Sequence, residues 1–202
     1  MFSFFSLSLS RGLFLSLIII SFLANTIQAQ PNEGRFIEGS IGFGLTSPNE
    51  EEIDVLGRGV FIQGEYVIAL KSWFGLRPYA GFVYTNTREN STVDALRGYK
   101  ANTTALLVGG KIRLAAPIPY VAPYLEVGYG ASIGRFETET RRFDIDKTGI
   151  VGHIPFTIGL AIGRDHEVEI EFTYFYQDSV EQFTGAVAIG LSFPLNKTKA
   201  EN

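Results

Sequence analysis

Residues 166 to 176 read H-E-V-E-I-E-F-T-Y-F-Y, an alternation with the two-residue period of a β-strand. One parity carries three glutamates and a threonine, whereas the other is apolar: Val168, Ile170, Phe172, Tyr174 and Tyr176. A soluble β-protein turns such charges outward, but a membrane barrel turns them inward and exposes the apolar parity to lipid. The remaining sequence decides between these two arrangements.

The composition limits the class of protein. The 202 residues include no cysteine, so an exported domain must be held by its core or by closure of its sheet, not by disulfides. The 17 lysines and arginines are outnumbered by 21 aspartates and glutamates, which disfavours binding to nucleic acid. Glycine is abundant, at 22 residues, and 13% of residues are aromatic, a combination that favours an all-β chain.

Residues 1–29 have the layout of a secretory signal peptide. Arg11 precedes an apolar run at residues 12–23, and a polar stretch ends at the small residue Ala29. A membrane-spanning helix needs about 20 apolar residues, and this run is shorter. We therefore expect cleavage after Ala29 rather than a retained anchor, which leaves a linker at residues 30–34.

Alternation recurs along the rest of the chain. With residues 166–176 as the seventh strand, we expect seven others at residues 35–45, 58–70, 75–87, 99–114, 123–136, 148–163 and 183–193. Most exceed the ~9 to 11 residues that a tilted strand needs to cross the hydrocarbon layer. Long polar connections follow strands one, three and five (residues 46–57, 88–98 and 137–147), and short ones follow strands two, four and six. Outer-membrane barrels alternate long outer loops with short periplasmic turns, so both termini are expected on the periplasmic side.

Over residues 35–193, this pattern resembles the small eight-stranded outer-membrane barrels of the OmpA-transmembrane-domain and OmpX type. The resemblance implies an all-β fold, an eight-stranded antiparallel up-and-down transmembrane β-barrel in a Gram-negative outer membrane, followed by a polar tail at residues 194–202. It also implies a monomer whose partners are outer-membrane lipid, lipopolysaccharide and the barrel-assembly machinery. One departure is the tail itself, since such barrels commonly end on an aromatic residue and here Phe193 is followed by more chain.

Aromatic residues near the strand ends match the interfacial girdles of such barrels. We expect the periplasmic girdle to contain Trp73, Tyr79, Tyr120, Tyr124 and Phe193. The outer girdle is expected to contain Tyr84, Tyr99, Phe136, Tyr176 and Phe183.

The charged parity predicts an ion-pair network inside the barrel. Six acids and three bases have inward parity in the periplasmic half or near mid-depth: Glu38, Glu65, Arg77, Lys111, Arg113, Glu126, Glu167, Glu169 and Glu171. Strand three faces strand seven in an eight-stranded ring, so Arg77 can reach Glu167 or Glu169. Charges inside a membrane protein are costly unless paired, and an eight-stranded interior is just filled by side chains. We therefore expect a plugged lumen with its excess carboxylates protonated or bridged by water; a gated proton or ion path is the alternative to this structural role.

The sequence offers little catalytic chemistry. His153 has inward parity and is expected to bond to lumen neighbours, whereas His166 is expected to be solvated beside Asp165. Outer-membrane lipid A deacylases, which resemble this architecture, use a His-x-Ser pair, but Ser179 has Gln177 two positions before it. No cysteine or clustered histidine spacing indicates a metal site. We expect no catalytic, cofactor-binding or metal-binding residues, and a non-enzymatic structural or surface-interaction role through the outer loops.

Two alternatives stay open. One is a lipid-modifying barrel enzyme of the deacylase kind. The other is a soluble exported carrier of the lipocalin type, in which the apolar parity lines a cavity. Lipocalins usually carry Gly-x-Trp on the first strand and a flanking helix, whereas strand one reads Gly39-Ser40-Ile41 and no amphipathic helical segment follows strand eight.

Overall fold

The structure of the protein is a computed structural model that describes residues 33–50, 55–87 and 98–195. The expected signal peptide, most of the linker and most of the polar tail lie outside the described residues. Within the described ranges, no helix is long and apolar enough to cross a membrane.

Eight antiparallel strands form one closed barrel in which each strand pairs with its neighbours in sequence and β1 pairs with β8. The strands are β1 (Gly34–Pro48), β2 (Gly57–Lys71), β3 (Phe74–Thr87), β4 (Lys100–Ala115), β5 (Val121–Glu139), β6 (Asp144–Ile162), β7 (Val168–Gln177) and β8 (Gln182–Pro194). A short 3-10 helix, Asp178–Val180, lies between β7 and β8. The expected all-β, eight-stranded antiparallel fold is confirmed.

Side chains along the strands alternate between a buried inner face and an exposed outer face, as the pleat of a strand requires. The outer face is a belt of large apolar residues. Ile189, Ile41 and Ile62 are cross-strand neighbours on β8, β1 and β2, and they are 57%, 66% and 51% exposed. The inner face holds the buried charges. A lipocalin-like carrier would have the opposite arrangement, so the alternative of a soluble carrier with an apolar cavity under a charged exterior is wrong.

The connections differ between the two ends of the barrel. The terminal end, which holds Gly34 and Pro194, has the turn at residues 72–73 and the connections at residues 116–120 and 163–167. The distal end has the connections at residues 49–56, 88–99 and 140–143 and the 3-10 helix.

One expected loop is wrong, because residues 137–147 belong mostly to strands. The β5–β6 ladder continues to the pair Glu139 and Asp144, and both strands are 19 residues long. Phe136 and Thr138 continue the inward parity and are fully buried, while Arg135 on the outer face bonds to Asp146 across the ladder. The sequence of this segment suggests a loop because its outward residues are charged rather than apolar. A strand that extends past the apolar belt into water requires such charged outward residues.

The aromatic girdles are also smaller than expected. Trp73, Tyr120 and Phe193 at the terminal end, and Tyr84 and Tyr176 towards the distal end, have exposed side chains. Three other expected members point into the lumen and are at most 5% exposed: Tyr79, Tyr124 and Phe136. Their positions along the strand suit a girdle, but their parity is inward, and parity decides which face of a strand a side chain occupies.

The exposed apolar belt predicts the effect of a charge on the outer face. Ile41→Arg, near the middle of β1, should lower the free energy of unfolding by about 2 to 4 kcal/mol, because an arginine at the bilayer midplane loses its hydration. Urea unfolding of the barrel in lipid vesicles measures this change. Asp144→Arg, at the distal tip of β6, is the control and should cost far less. Equal costs at the two positions would contradict the assignment of the outer face to lipid.

Candidate functional site: the charged lumen

A layer of charged side chains fills the lumen towards the terminal end. The inward positions of six strands supply it, and each residue is at most 6% exposed: Glu38 on β1, Glu65 on β2, Arg77 on β3, Lys111 and Arg113 on β4, Glu126 on β5, and Glu169 and Glu171 on β7. We call these eight residues the lumen charge layer. The sheet itself places like charges side by side, since Glu38 is the cross-strand partner of Glu65 and Arg77 that of Lys111. Such pairs are destabilising, so the layer depends on contacts across the lumen.

Arg77 makes those contacts. Its Nη1 donates to Oε2 of Glu38 and to Oε2 of Glu65, at 2.7 Å each. Its Nη2 donates to Oε1 of Glu169 on the far side of the barrel, at 3.0 Å. A single guanidinium therefore separates two neighbouring carboxylates and links them to β7. Arginine suits this position better than lysine, because its guanidinium is planar and has several hydrogen-bond donors.

Lys111 and Arg113 complete the pairing. Nζ of Lys111 lies 2.5 Å from carboxylate oxygens of both Glu65 and Glu126. Arg113 donates from Nε to Glu126 at 2.6 Å and from both terminal nitrogens to the two oxygens of Glu169, also at 2.6 Å. This fork is the bidentate geometry that gives the strongest charged hydrogen bonds. The guanidinium of Arg113 also lies 3.4 Å from the centroid of the Tyr124 ring, a cation–π contact.

Glu171 differs from the other four carboxylates of the layer. It is 2% exposed, and neither of its oxygens has a hydrogen-bond partner among the described residues. Its carboxylate nevertheless lies close to others. One group of oxygens within 4.8 Å of one another comes from Glu38, Glu169 and Glu171, and a second comes from Glu65, Glu126 and Glu171. These are the described residues that offer a hard cation several oxygen ligands.

Glu167 is not part of the layer, which corrects the sequence prediction. It lies exposed in the connection at residues 163–167, where its Oε2 accepts a hydrogen bond from the backbone N–H of Asp165 at 3.1 Å. The strand begins only at Val168, and His166 before it has a positive φ of 56°. Because the alternation of faces holds only within a strand, the parity of Glu167 does not determine its direction.

His166 is not solvated, contrary to the expectation from its neighbour Asp165. Its side chain is 2% exposed, and Nε2 lies 3.0 Å from the carbonyl oxygen of Ile118, to which it donates. Ile118 lies in the neighbouring connection at residues 116–120. The histidine therefore ties two terminal-end connections together.

A second polar cluster lies distal to the charge layer and surrounds His153, which is 1% exposed. Its Nδ1 lies 2.7 Å from the hydroxyl of Ser132, and its Nε2 is hydrogen-bonded to the hydroxyl of Tyr79. Gln177 donates to the same serine at 2.8 Å. The sequence prediction anticipated neighbours for His153 but named none of these three. Their shared inward parity was the available signal, but strand register sets their depth.

Apolar side chains close the lumen towards the distal end. The buried cluster includes Phe61, Val83, Leu107, Phe136, Val151, Phe175 and Val180. Val180 belongs to the 3-10 helix, and its carbonyl accepts a hydrogen bond from the hydroxyl of Thr138 at 2.9 Å. Buried polar side chains lie at this end as well: the hydroxyls of Thr46 and Thr85 are 2.7 Å apart, and Gln182 donates to Thr103 at 2.7 Å. The described part of the lumen is therefore filled by the charge layer, the polar cluster around His153, and an apolar layer bordered by hydrogen-bonded threonines and glutamines.

The lumen charge layer predicts a large cost for losing its central cation. Arg77→Met should lower the free energy of unfolding by about 3 to 5 kcal/mol, since it leaves buried carboxylates without their partner. Urea unfolding in detergent micelles measures the loss. Arg58→Met, at an exposed position on the neighbouring strand β2, is the matched control and should change stability little.

A double variant separates pairing from packing. Adding Glu38→Gln to Arg77→Met should recover part of the lost stability, because Arg77 is the cation that pairs with Glu38 among the described residues and the double variant removes the carboxylate left without it. If the losses of unfolding free energy in the two single variants simply add up in the double variant, the network is not coupled.

No protein-family model matches the chain, and no curated protein sequence matches it. Several solved structures match the chain in fold. Neisserial surface protein A is 11% identical with a TM-score of 0.53, and the match covers 80% of this chain and 97% of that one. Ail, the attachment invasion locus protein of Yersinia pestis, is 18% identical with a TM-score of 0.47, covering 80% and 100%. The outer-membrane enzyme PagL is 10% identical with a TM-score of 0.44, covering 79% and 99%. At these identities the likeness concerns the fold, and the chain has the fold of the small eight-stranded outer-membrane β-barrels.

Proposed function

We propose that this protein is an integral barrel of a bacterial outer membrane that acts without catalysis, as a rigid support for a charged surface at its distal end. The observation that carries the proposal is the inverted burial of the barrel. Large apolar residues cover its outside, while charged residues on the inside are buried to 94% or more. Such a surface is stable only where lipid or detergent covers the apolar belt.

The filled lumen argues against a diffusion pore. The charge layer, the cluster around His153 and the apolar layer follow one another along the barrel axis, and each contains side chains with almost no accessible surface. A porin-type channel needs a wider ring that leaves an aqueous interior. The proposed role therefore lies at the surface of the protein rather than in its lumen.

The distal surface carries a ladder of opposite charges on β4, β5 and β6. Arg135 bonds to Asp146 at 2.8 Å, and Lys100 lies 3.0 Å from Glu139. The tip of the β5–β6 hairpin also reaches the β1–β2 connection, where Nε of Arg142 lies 3.4 Å from Glu50. A hydrogen-bonded sheet thus holds both signs of charge above the apolar belt. Such a surface suits polar partners at the membrane surface, including the phosphate and sugar groups of lipopolysaccharide.

An enzyme of the lipid A deacylase kind is less well supported. Ser179, the serine of the candidate motif, lies in the 3-10 helix and has no histidine two residues before it. The described Ser132–His153 pair has hydrogen-bonding geometry, but both side chains are enclosed in the lumen, at 0% and 1% exposure. A nucleophile must be reachable by its substrate. We therefore propose a non-enzymatic role.

Membrane insertion and orientation can be tested together, because the chain has no cysteine of its own. In intact cells, a membrane-impermeant maleimide should label Arg142→Cys at the distal tip of the barrel. Ser72→Cys, in the terminal-end turn between β2 and β3, is the matched control. It should be labelled only after the outer membrane is broken.

The same samples should sediment with outer membranes and migrate faster in detergent gels before boiling than after it, as folded barrels do. Recovery of the protein in the soluble periplasmic fraction would contradict the membrane assignment. Labelling of Ser72→Cys but not Arg142→Cys in intact cells would invert the orientation and place the charged surface in the periplasm.

A further inference from the structure

The lumen charge layer has more carboxylates than cations on one side of the barrel. Its three cations, Arg77, Lys111 and Arg113, all come from the adjacent strands β3 and β4. Its five carboxylates come from β1, β2, β5 and β7, so they exceed the cations by two. Unpaired charges inside a membrane protein are costly. One divalent cation would balance this excess.

The excess is concentrated at Glu171. Its two oxygens lack hydrogen-bond partners among the described residues, although the side chain is 98% buried. Of the two carboxylate groups that it joins, the one with Glu65 and Glu126 already contains the ammonium of Lys111, 2.5 Å from each partner. In the group with Glu38 and Glu169, Arg77 bonds to Oε2 of Glu38, and the two oxygens of Glu169 accept hydrogen bonds from Arg113. Arg77 does not use Oε1 of Glu38, and this oxygen lies against Gly190 on β8.

The absence of a side chain at Gly190 shapes the second group. Gly190 on β8 is the cross-strand neighbour of Glu169 on one side and of Ser40 on the other. A Cβ built at Gly190 would lie 2.8 Å from Oε1 of Glu38 and 3.5 Å from Cβ of Glu169. The missing side chain therefore allows the carboxylate of Glu38 to lie against the backbone of β8, beside Glu169. Glycine within a strand often marks such a close approach of a ligand.

We propose that Glu38, Glu169 and Glu171 bind one calcium-like divalent cation on the lumen side of Gly190. Calcium prefers oxygen ligands at about 2.3 to 2.6 Å, so ligands on opposite sides of the ion lie about 5 Å apart. The three carboxylates have oxygens within 4.8 Å of one another. Glu171 supplies two oxygens that have no other partner among the described residues, and the ion offsets the two negative charges by which the carboxylates of the layer exceed its cations.

Calcium titration calorimetry tests the site. The full protein, extracted in detergent and stripped with a chelator, should bind one calcium ion per chain at neutral pH. Glu171→Gln should weaken binding by roughly tenfold or more, as expected for loss of a ligand. Glu167→Gln is the matched control, since this glutamate lies close by in sequence but is exposed in the connection before β7; its affinity should equal that of the wild type.

A glycine pair tests the same site without removing a charge. Gly190→Ala places a methyl group 2.8 Å from Oε1 of Glu38, so this carboxylate must shift, and the substitution should also weaken calcium binding. Gly39→Ala, on the outer face of β1 with nothing within 4 Å of its added Cβ, should not. If Glu171→Gln fails to fold, this pair still decides the question.

Two results would overturn the proposal. Absence of calcium binding by the wild type would mean that protons, not a cation, neutralise the excess carboxylates. Unchanged calcium affinity in Gly190→Ala and Glu171→Gln would place the ion elsewhere, for example at the acidic residues 50–54.

Discussion

The structure depends on one guanidinium group that reaches across the lumen. Pairing between neighbouring strands brings Glu38 beside Glu65 and Arg77 beside Lys111. In a flat sheet with this register, both pairs of like charges would be repulsive. Closure of the barrel removes the conflict, because it brings β3 within reach of both β1 and β7, and Arg77 can then contact carboxylates on each. The charges thus favour the closed ring over the open sheet, in addition to the backbone hydrogen bonds that lipid demands.

The three layers of the lumen enclose its titratable side chains. The charge layer is covered distally by the cluster of His153, Ser132 and Tyr79, and that cluster is covered by the apolar layer. The side chains of the charge layer and of the His153 cluster have almost no accessible surface, and such a buried environment strengthens ion pairs and hydrogen bonds. At the distal end, the long β5–β6 hairpin carries its charges beyond the apolar belt.

The sequence predicted those features that depend on alternation within a strand. Eight strands, their antiparallel order and the inward direction of residues such as Arg77 and Glu169 follow from a period of two, which is a local property. The errors lie where that period stops or where depth matters. Glu167 has the right parity but precedes the first residue of β7, and residues 137–147 form strands although their outward residues are polar.

The register between neighbouring strands was the second feature that could not be predicted from the sequence. Tyr79 and Tyr124 were assigned to a girdle by their position along the strand, although their parity is inward, and their partners became evident only when neighbouring strands were aligned. The neighbours of His153 come from β3, β5 and, through Ser132, β7. The spacing of residues along the chain does not predict such contacts between strands, because they depend on how far each strand is shifted against the next.

The uneven distribution of charge around the ring also follows from the strands and not from any single residue. Cations come from β3 and β4 alone within the charge layer, while β8, on the opposite side, contributes small or polar inward residues such as Ala188 and Gly190. β8 lies between β1 and β7, which both carry glutamates. Arg77 and Arg113 reach Glu169 only because their side chains are long, and neither donates a hydrogen bond to Glu171. The lumen therefore has a positive wall and a negative wall. On the negative wall, Gly190 allows the carboxylate of Glu38 to lie against β8, so Glu38 and Glu169 meet on the two sides of that strand.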